Sequence, residues 1–268
     1  AFGEKICASL REPFLLVDIP IQISGSLGIA TFPDQASSAM QVYEYADYAL
    51  YQSKRQRPGT VCLFSADHRQ QLNREGLTEQ ALRRADLDRE FHVVFQPIVD
   101  IQTGQTVAFE ALARWQSPEL GNVPPYEFIP IAERAGLVNR LTLPLLRKAL
   151  EAAANWPAGM RLSFNLSAHD CGSEDAAQQI VELIRSSRFP AACLDLEITE
   201  TAAIQDLPQT QRTISRLREL DCGISLDDFG TGYSSLSHIH ALSLTKLKVD
   251  RTFVTDIHSD PASFKIVK

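Results

Sequence analysis

From residue 89 onward the chain alternates between two hydrophobic periods, and this alternation restricts its fold more than any other feature. Apolar runs of strand length (FHVVFQPIVD, TVAFEALARW, MRLSFNLS, CLDLEITE, CGISLDDFG and LTKLKVD) are separated by stretches with helical spacing, such as DAAQQIVELIRSS and LPQTQRTISRLREL. Near-continuous apolar strands joined by helices predict a parallel sheet covered by those helices. An open doubly wound sheet and a (β/α) barrel both satisfy the pattern. The polar residues favour the barrel. Almost every strand carries an acid, amide or base near its C-terminal end: Gln96, Glu110, Asn165, Glu197, Asp227 and Lys248. A barrel gathers those ends into one ring, where its active site lies, whereas an open sheet strings them along an edge.

Strand side chains alternate between faces, so parity decides which residues can meet. Glu110, Leu112 and Arg114 share a face of EALAR, and Ser163, Asn165 and Ser167 share one of SFNLS. Asp195, Glu197 and Thr199 line up in DLEIT, as do Gly223, Ser225 and Asp227 in GISLD and Lys246, Lys248 and Asp250 in KLKVD. With these polar faces inward at a barrel mouth, Glu110, Asn165, Glu197 and Asp227 converge. Oxygen donors without His or Cys suit a hard cation such as Mg²⁺ or Mn²⁺. Crowded carboxylates repel one another, and a cation removes that cost. Asp228 follows Asp227 at the strand end, and the glycines of FGTG allow a tight turn there. The adjacent aspartates can then face two cations, the arrangement used for in-line attack at phosphorus. Taken alone, the pair reads more readily as a solvated loop than as a metal pair. Lys248 adds a cation that orients water or neutralises developing charge, and the planar fork of Arg114 suits a phosphate.

FQPIVD, EALAR, FNLS, LEITE, DDFGTGYSSL and LKVDRTFV, in this order from about residue 90, resemble the EAL domain family of cyclic di-GMP phosphodiesterases. The resemblance implies a TIM-type barrel whose first strand runs antiparallel. It also implies hydrolysis of cyclic di-GMP to linear pGpG with Mg²⁺ or Mn²⁺. By motif, Glu110, Asn165, Glu197 and Asp227 correspond to ligands of a first metal, and Asp227 and Asp228 to ligands of a second. Lys248 matches a water-positioning lysine. Gln96, Leu112 and Arg114 match substrate contacts, and Glu200 matches a glutamate that holds the loop after DDFG. A homodimer through this domain is expected for the intact protein.

Residues 1–64 form a separate block, and GSLGIATFP and ADYALYQSKRQRPG resemble the C-terminal part of a GGDEF domain, the diguanylate cyclase fold. IQISGSLGIATF reads as one strand and SAMQVYEYADYALYQSKRQR as an amphipathic helix. Residues 65–88 read as a charged connecting helix, and residues 89–268 as the EAL domain. The family has two further strands, one with a glutamate completing the second metal site, so the barrel is expected to lack its last two strands. The start at Ala1 and a helix begun at Asp260-Pro261 fit a chain cut at both ends. Such a piece is expected to be poorly stable and weakly active or inactive.

Net charge is -7, which gives no general basic surface for DNA or RNA. No apolar run reaches membrane-spanning length, no signal peptide is visible, and the five cysteines are scattered without a CxxC. A reduced, cytoplasmic setting follows. His238 and His240 read as surface residues, His169 stays open, and Trp115 and Trp156 read as packing. The rival to a phosphodiesterase is a receptor that binds cyclic di-GMP without cutting it.

Overall fold

The computed structural model describes residues 2–230, 242–255, 257, 264, 265 and 267. Of the helix expected over 234–242 only Leu242 is described, and of the one expected from Asp260 onward only Phe264, Lys265 and Val267, which are helical; His238, His240 and Gly232 lie outside the described residues. The chain divides into two compact units, Ala1–Thr78 and Glu79–Lys268.

In the first unit α1 (Phe2–Leu10) precedes the strands β1 (Phe14–Leu16) and β2 (Ile19–Ile21), which pair antiparallel. Val17 and Asp18 both take positive φ, 50° and 66°, as a two-residue hairpin turn requires. β3 (Leu27–Ile29), α2 (Ala39–Gln56) and β4 (Val61–Leu63) complete a small α/β layer in which β3 and β4 pair in parallel. The single strand expected over IQISGSLGIATF is therefore two. Its first part is taken up by the hairpin and its second by β4, with residues 22–26 between them outside any strand. The helix expectation holds: Ser38 caps α2 through the Gln41 amide. The core here is Tyr48, Ala49 and Phe64, with Tyr45 stacked on Phe64 at 4.1 Å. The division between units falls within α3 (Ala66–Arg84).

The second unit continues with α4 (Leu87–Glu90), β5 (Phe91–Val99), β6 (Thr106–Ser117), β7 (Gly121–Val123), α5 (Pro125–Arg134), α6 (Val138–Ala153) and β8 (Arg161–Leu166). Next come α7 (Ala168–Gly172), α8 (Glu174–Ser186), β9 (Leu194–Thr199), α9 (Glu200–Gln205), α10 (Leu207–Arg218), β10 (Gly223–Phe229), β11 (Lys246–Val249) and α11 (Arg251–Thr255). The sheet order is β5-β6-β8-β9-β10-β11, with β7 beside β6. All six expected strands are present, and β5 runs antiparallel to β6 while the pairs from β6 to β11 run parallel. β7 was not expected, because three residues after a tight turn carry no usable periodicity.

The core explains this order. β9 is buried from Leu194 to Ile198, as a strand covered on both faces must be. Phe91, Trp115 and Phe128 form an aromatic group, with Phe91 stacked on Trp115 at 5.3 Å and Phe128 edge-on to both. Trp156 packs against Phe95 and Phe109, so both tryptophans pack as expected.

Beyond β8, Ser167 and Asp170 form a capping box that starts α7. The Asp170 Oδ2 accepts from the Ser167 amide, the Ser167 hydroxyl and the Thr142 hydroxyl. Asp170→Ala should lower stability by about 2 kcal/mol, since it strands buried donors as well as removing the cap. Burial pushes the Asp170 carboxyl up, against the pull of those hydrogen bonds. The folded chain therefore binds a proton more readily than the unfolded chain, and stability falls as pH rises through the raised value. Asp170→Asn should flatten that slope in denaturation measured from pH 4 upward.

Candidate active site

The parallel register aligns five strands, β6, β8, β9, β10 and β11. Glu110 pairs with Ser163, Asn165 with Glu197, Glu197 with Ser225, and Ser225 with Lys246. Residues two apart then share a face, which brings the expected carboxylates together. The Lys248 ammonium lies 2.6 Å from Glu197, 3.1 Å from Asp227 and 3.5 Å from Glu110. Three carboxylates from three strands thus enclose one cation from a fourth. Asn165 donates to the Glu110 Oε1 at 2.9 Å, and Ser163 donates to the Glu197 Oε1 at 2.5 Å.

The two members of the tightest pair carry different shares of the burial. Glu197 is 1% exposed, and burial raises its pKa despite hydrogen bonds from Lys248 and Ser163. The Lys248 side chain is 30% exposed. Burial opposes its charge too, but the hydrogen bond and charge of Glu197, with the charges of Glu110 and Asp227, hold its pKa well above that of a free lysine. With these three carboxylates round it, the charged ammonium form of Lys248 is favoured.

Asp228 stands outside this ring. It takes φ 54°, which turns the chain at the end of β10. Burial, with the charges of Asp227 and Asp250, raises its pKa. Gly230 takes φ 99°, and a Cβ there would approach the Phe253 ring at 2.7 Å, so glycine is required at this turn. The Gly230 amide donates to the Glu200 Oε2 at 3.2 Å, so Glu200 contacts the last described residue before the loop. Gln96 lies opposite Glu110 in the β5–β6 ladder. Leu112 and Arg114 follow Glu110 on the same face, and Arg114 donates to the Ala113 carbonyl. The His169 Nε2 donates to the Glu133 carbonyl at 3.1 Å, a contact at the end of α5. Ser163 and Asp250 were not among the expected site residues, although their parity with Asn165 and Lys248 pointed to them.

A cavity of 270 Å³ adjoins the ring and is lined by Val93, Leu112, Phe128, Phe164, Asn165 and Thr199, among others. A hollow of 530 Å³ between the ends of α6 and α8 holds none of the site residues. Among the described residues no three His, Cys, Asp or Glu side chains are gathered round one point as metal ligands. The carboxylates close on Lys248 instead. The donor set nevertheless suits a hard divalent cation, because Glu110, Glu197 and Asp227 converge as carboxylate oxygen donors, with Asn165 beside Glu110.

Residues 79–268 match the EAL domain family, and the chain belongs to it. Residues 1–59 match the diguanylate cyclase GGDEF domain in part. The chain is 31% identical to the cyclic di-GMP phosphodiesterase PdeR of Escherichia coli, over 100% of this chain and 41% of PdeR. It is 30% identical to the bifunctional diguanylate cyclase/cyclic di-GMP phosphodiesterase MucR of Pseudomonas aeruginosa, over 99% of this chain and 39% of MucR. The solved complex of the PaMucR phosphodiesterase with c-di-GMP superposes with a TM-score of 0.64 at 31% identity, covering 74% of this chain and 79% of that one. The chain spans less than half the length of these curated relatives. Among the described residues no helix is long and apolar enough to cross a membrane.

Proposed function

We propose that this site hydrolyses cyclic di-GMP to linear pGpG with Mg²⁺ or Mn²⁺. One observation carries the reading: carboxylates of β6, β9 and β10 converge on the Lys248 ammonium at the C-terminal ends of the strands. The relatives named for this reaction support it. Glu110, Asn165, Glu197 and Asp227 would hold one ion, and Asp227 with Asp228 a second. The ions supply Lewis acidity toward a phosphodiester and make water acidic enough to attack at neutral pH.

The chain's own residues prepare the rest. Asn165 orients Glu110, and Ser163 orients Glu197, each through the hydrogen bond described above. Formation of pGpG joins a water oxygen to phosphorus and breaks the bond from phosphorus to one ribose 3′-oxygen, which departs with a proton. Lys248 would serve by charge and by donating hydrogen bonds toward the attacking water or the phosphoryl oxygens. Arg114 supplies a guanidinium for a phosphate, with Gln96 and Leu112 on the substrate side of the same face. Glu200 steadies the turn that carries Asp228. A cytoplasmic location and a homodimer through the EAL domain belong to the same reading, and sedimentation of the chain tests the dimer.

The test is pGpG formation with Mn²⁺, in this chain and in a form lengthened at its C-terminus. Calorimetry of cyclic di-GMP binding accompanies it. Glu110→Ala should abolish turnover and retain measurable nucleotide affinity. Binding without turnover in every form would make the site a receptor and overturn the hydrolase.

A further inference from the structure

Two residues below the site, the same strands carry a second acid–lysine contact. Asp195 lies two residues before Glu197 on β9, and Lys246 two residues before Lys248 on β11. The Lys246 ammonium is 2.5 Å from the Asp195 Oδ2. Arg161, at the start of β8, donates to both oxygens of the same carboxylate, at 2.7 Å and 2.6 Å. The Asp195 side chain is 3% exposed, whereas Lys246 is 48% exposed. We propose that Asp195, anchored by Arg161, is a positioning residue that holds β11 through Lys246 and thereby sets Lys248 against the site carboxylates.

The geometry of β10 supports this. Both acid–lysine contacts cross over β10 to reach from β9 to β11, and the residues beneath the lower one are small. Gly223 pairs with Asp195, and a Cβ at Gly223 would lie 1.9 Å from the Asp195 Oδ1. Glycine leaves the space through which the carboxylate reaches Lys246. Ser225 occupies the next place on the same face, between Glu197 and Lys246.

β11 needs such an anchor. It has four residues, and its ladder with β10 breaks register between Leu226 and Phe229, just where Lys248 must be placed. Thr245 brackets Ile224 with hydrogen bonds at 2.9 Å, but these tie the strand entrance to β10 alone. At the strand entrance the Lys246 contact ties β11 across to β9, two residues before the Lys248–Glu197 contact of the site itself. A slip of one residue would turn both lysines to the other face. A slip of two would leave a buried carboxylate without its lysine, at a cost that disfavours it.

The test uses Lys246→Met, which keeps the stem and leaves Asp195 paired with Arg161, so the fold has no uncompensated buried charge. Amide exchange of residues 246–249 in this chain should speed up by about tenfold, with β8 and β9 unchanged. In the form that turns over cyclic di-GMP, kcat should fall by about tenfold with KM held within about twofold, because only placement is lost. Lys246→Arg should restore both, and Asp195→Asn should reproduce the Met result. Unchanged exchange at β11, faster exchange spread evenly over β8 to β10, or a lowered melting temperature with kcat intact would each overturn the proposal. So would failure of Lys246→Arg to restore kcat. The kinetic arm rests on the phosphodiesterase reading. If no form turns over the nucleotide, that reading fails and the exchange result still decides the role of Asp195.

Discussion

Glu197→Gln should fold at least as stably as the parent chain and lose turnover by a factor of about 10³. The two effects have one cause. Glu197 is 1% exposed, and burial pushes its carboxyl up, so its charge is maintained against the preference of its surroundings. Glutamine keeps the shape and the acceptor oxygen for Ser163 and removes the buried charge. Lys248 retains Glu110 and Asp227 as partners, so no cation is stranded. Stability is therefore spared or improved, as expected where a residue is kept for function at the expense of folding. Turnover is lost because an amide cannot replace a carboxylate in holding a hard divalent cation or in setting the charge around Lys248. Denaturant midpoints and pGpG formation measured on one preparation check both parts. A parallel drop in stability and turnover would mean that Glu197 serves mainly to hold the fold.

Glu197 is legible in the sequence for a plain reason. It interrupts an apolar strand at the end where α/β barrels do their chemistry, and parity places it with Asn165 and Asp227. The same argument locates Glu110 and Lys248, because a parallel sheet with short connections leaves little freedom in which ends meet. Residues whose role depends on register are harder to read. Ser163 shares a face with Asn165, but only the pairing of Asn165 with Glu197 shows that its hydroxyl reaches the Glu197 carboxylate. Lys246 and Asp195 are 51 residues apart, and nothing local marks them as partners. In the first unit, IQISGSLGIATF is β-prone throughout. Its division into β2 and β3 comes from two different pairing strands, which propensity does not contain.

Gly223→Ala should cost about 3–5 kcal/mol of stability, an effect far beyond the intrinsic preference for alanine over glycine in a strand. The added Cβ would sit 1.9 Å from the Asp195 Oδ1 and 3.2 Å from the Arg161 Nη2. Relief by backbone movement is closed off, because β10 is flanked by β9 on one side and β11 on the other, and Gly223 itself is buried. The carboxylate must move instead. Doing so pulls it from Arg161 and Lys246 and leaves a charge in a site that is 3% exposed. The double variant Asp195→Ala, Gly223→Ala separates the steric from the ionic part. With the carboxylate gone the new methyl has room, so the double variant should be more stable than the sum of the single changes predicts by about 1–3 kcal/mol. Strict additivity in denaturant titrations would mean that the methyl is accommodated elsewhere and that glycine at 223 is not there to make way for Asp195. Recovery would show that a glycine inside a strand, ordinarily a weakness, is what allows an acid on β9 to reach a lysine on β11.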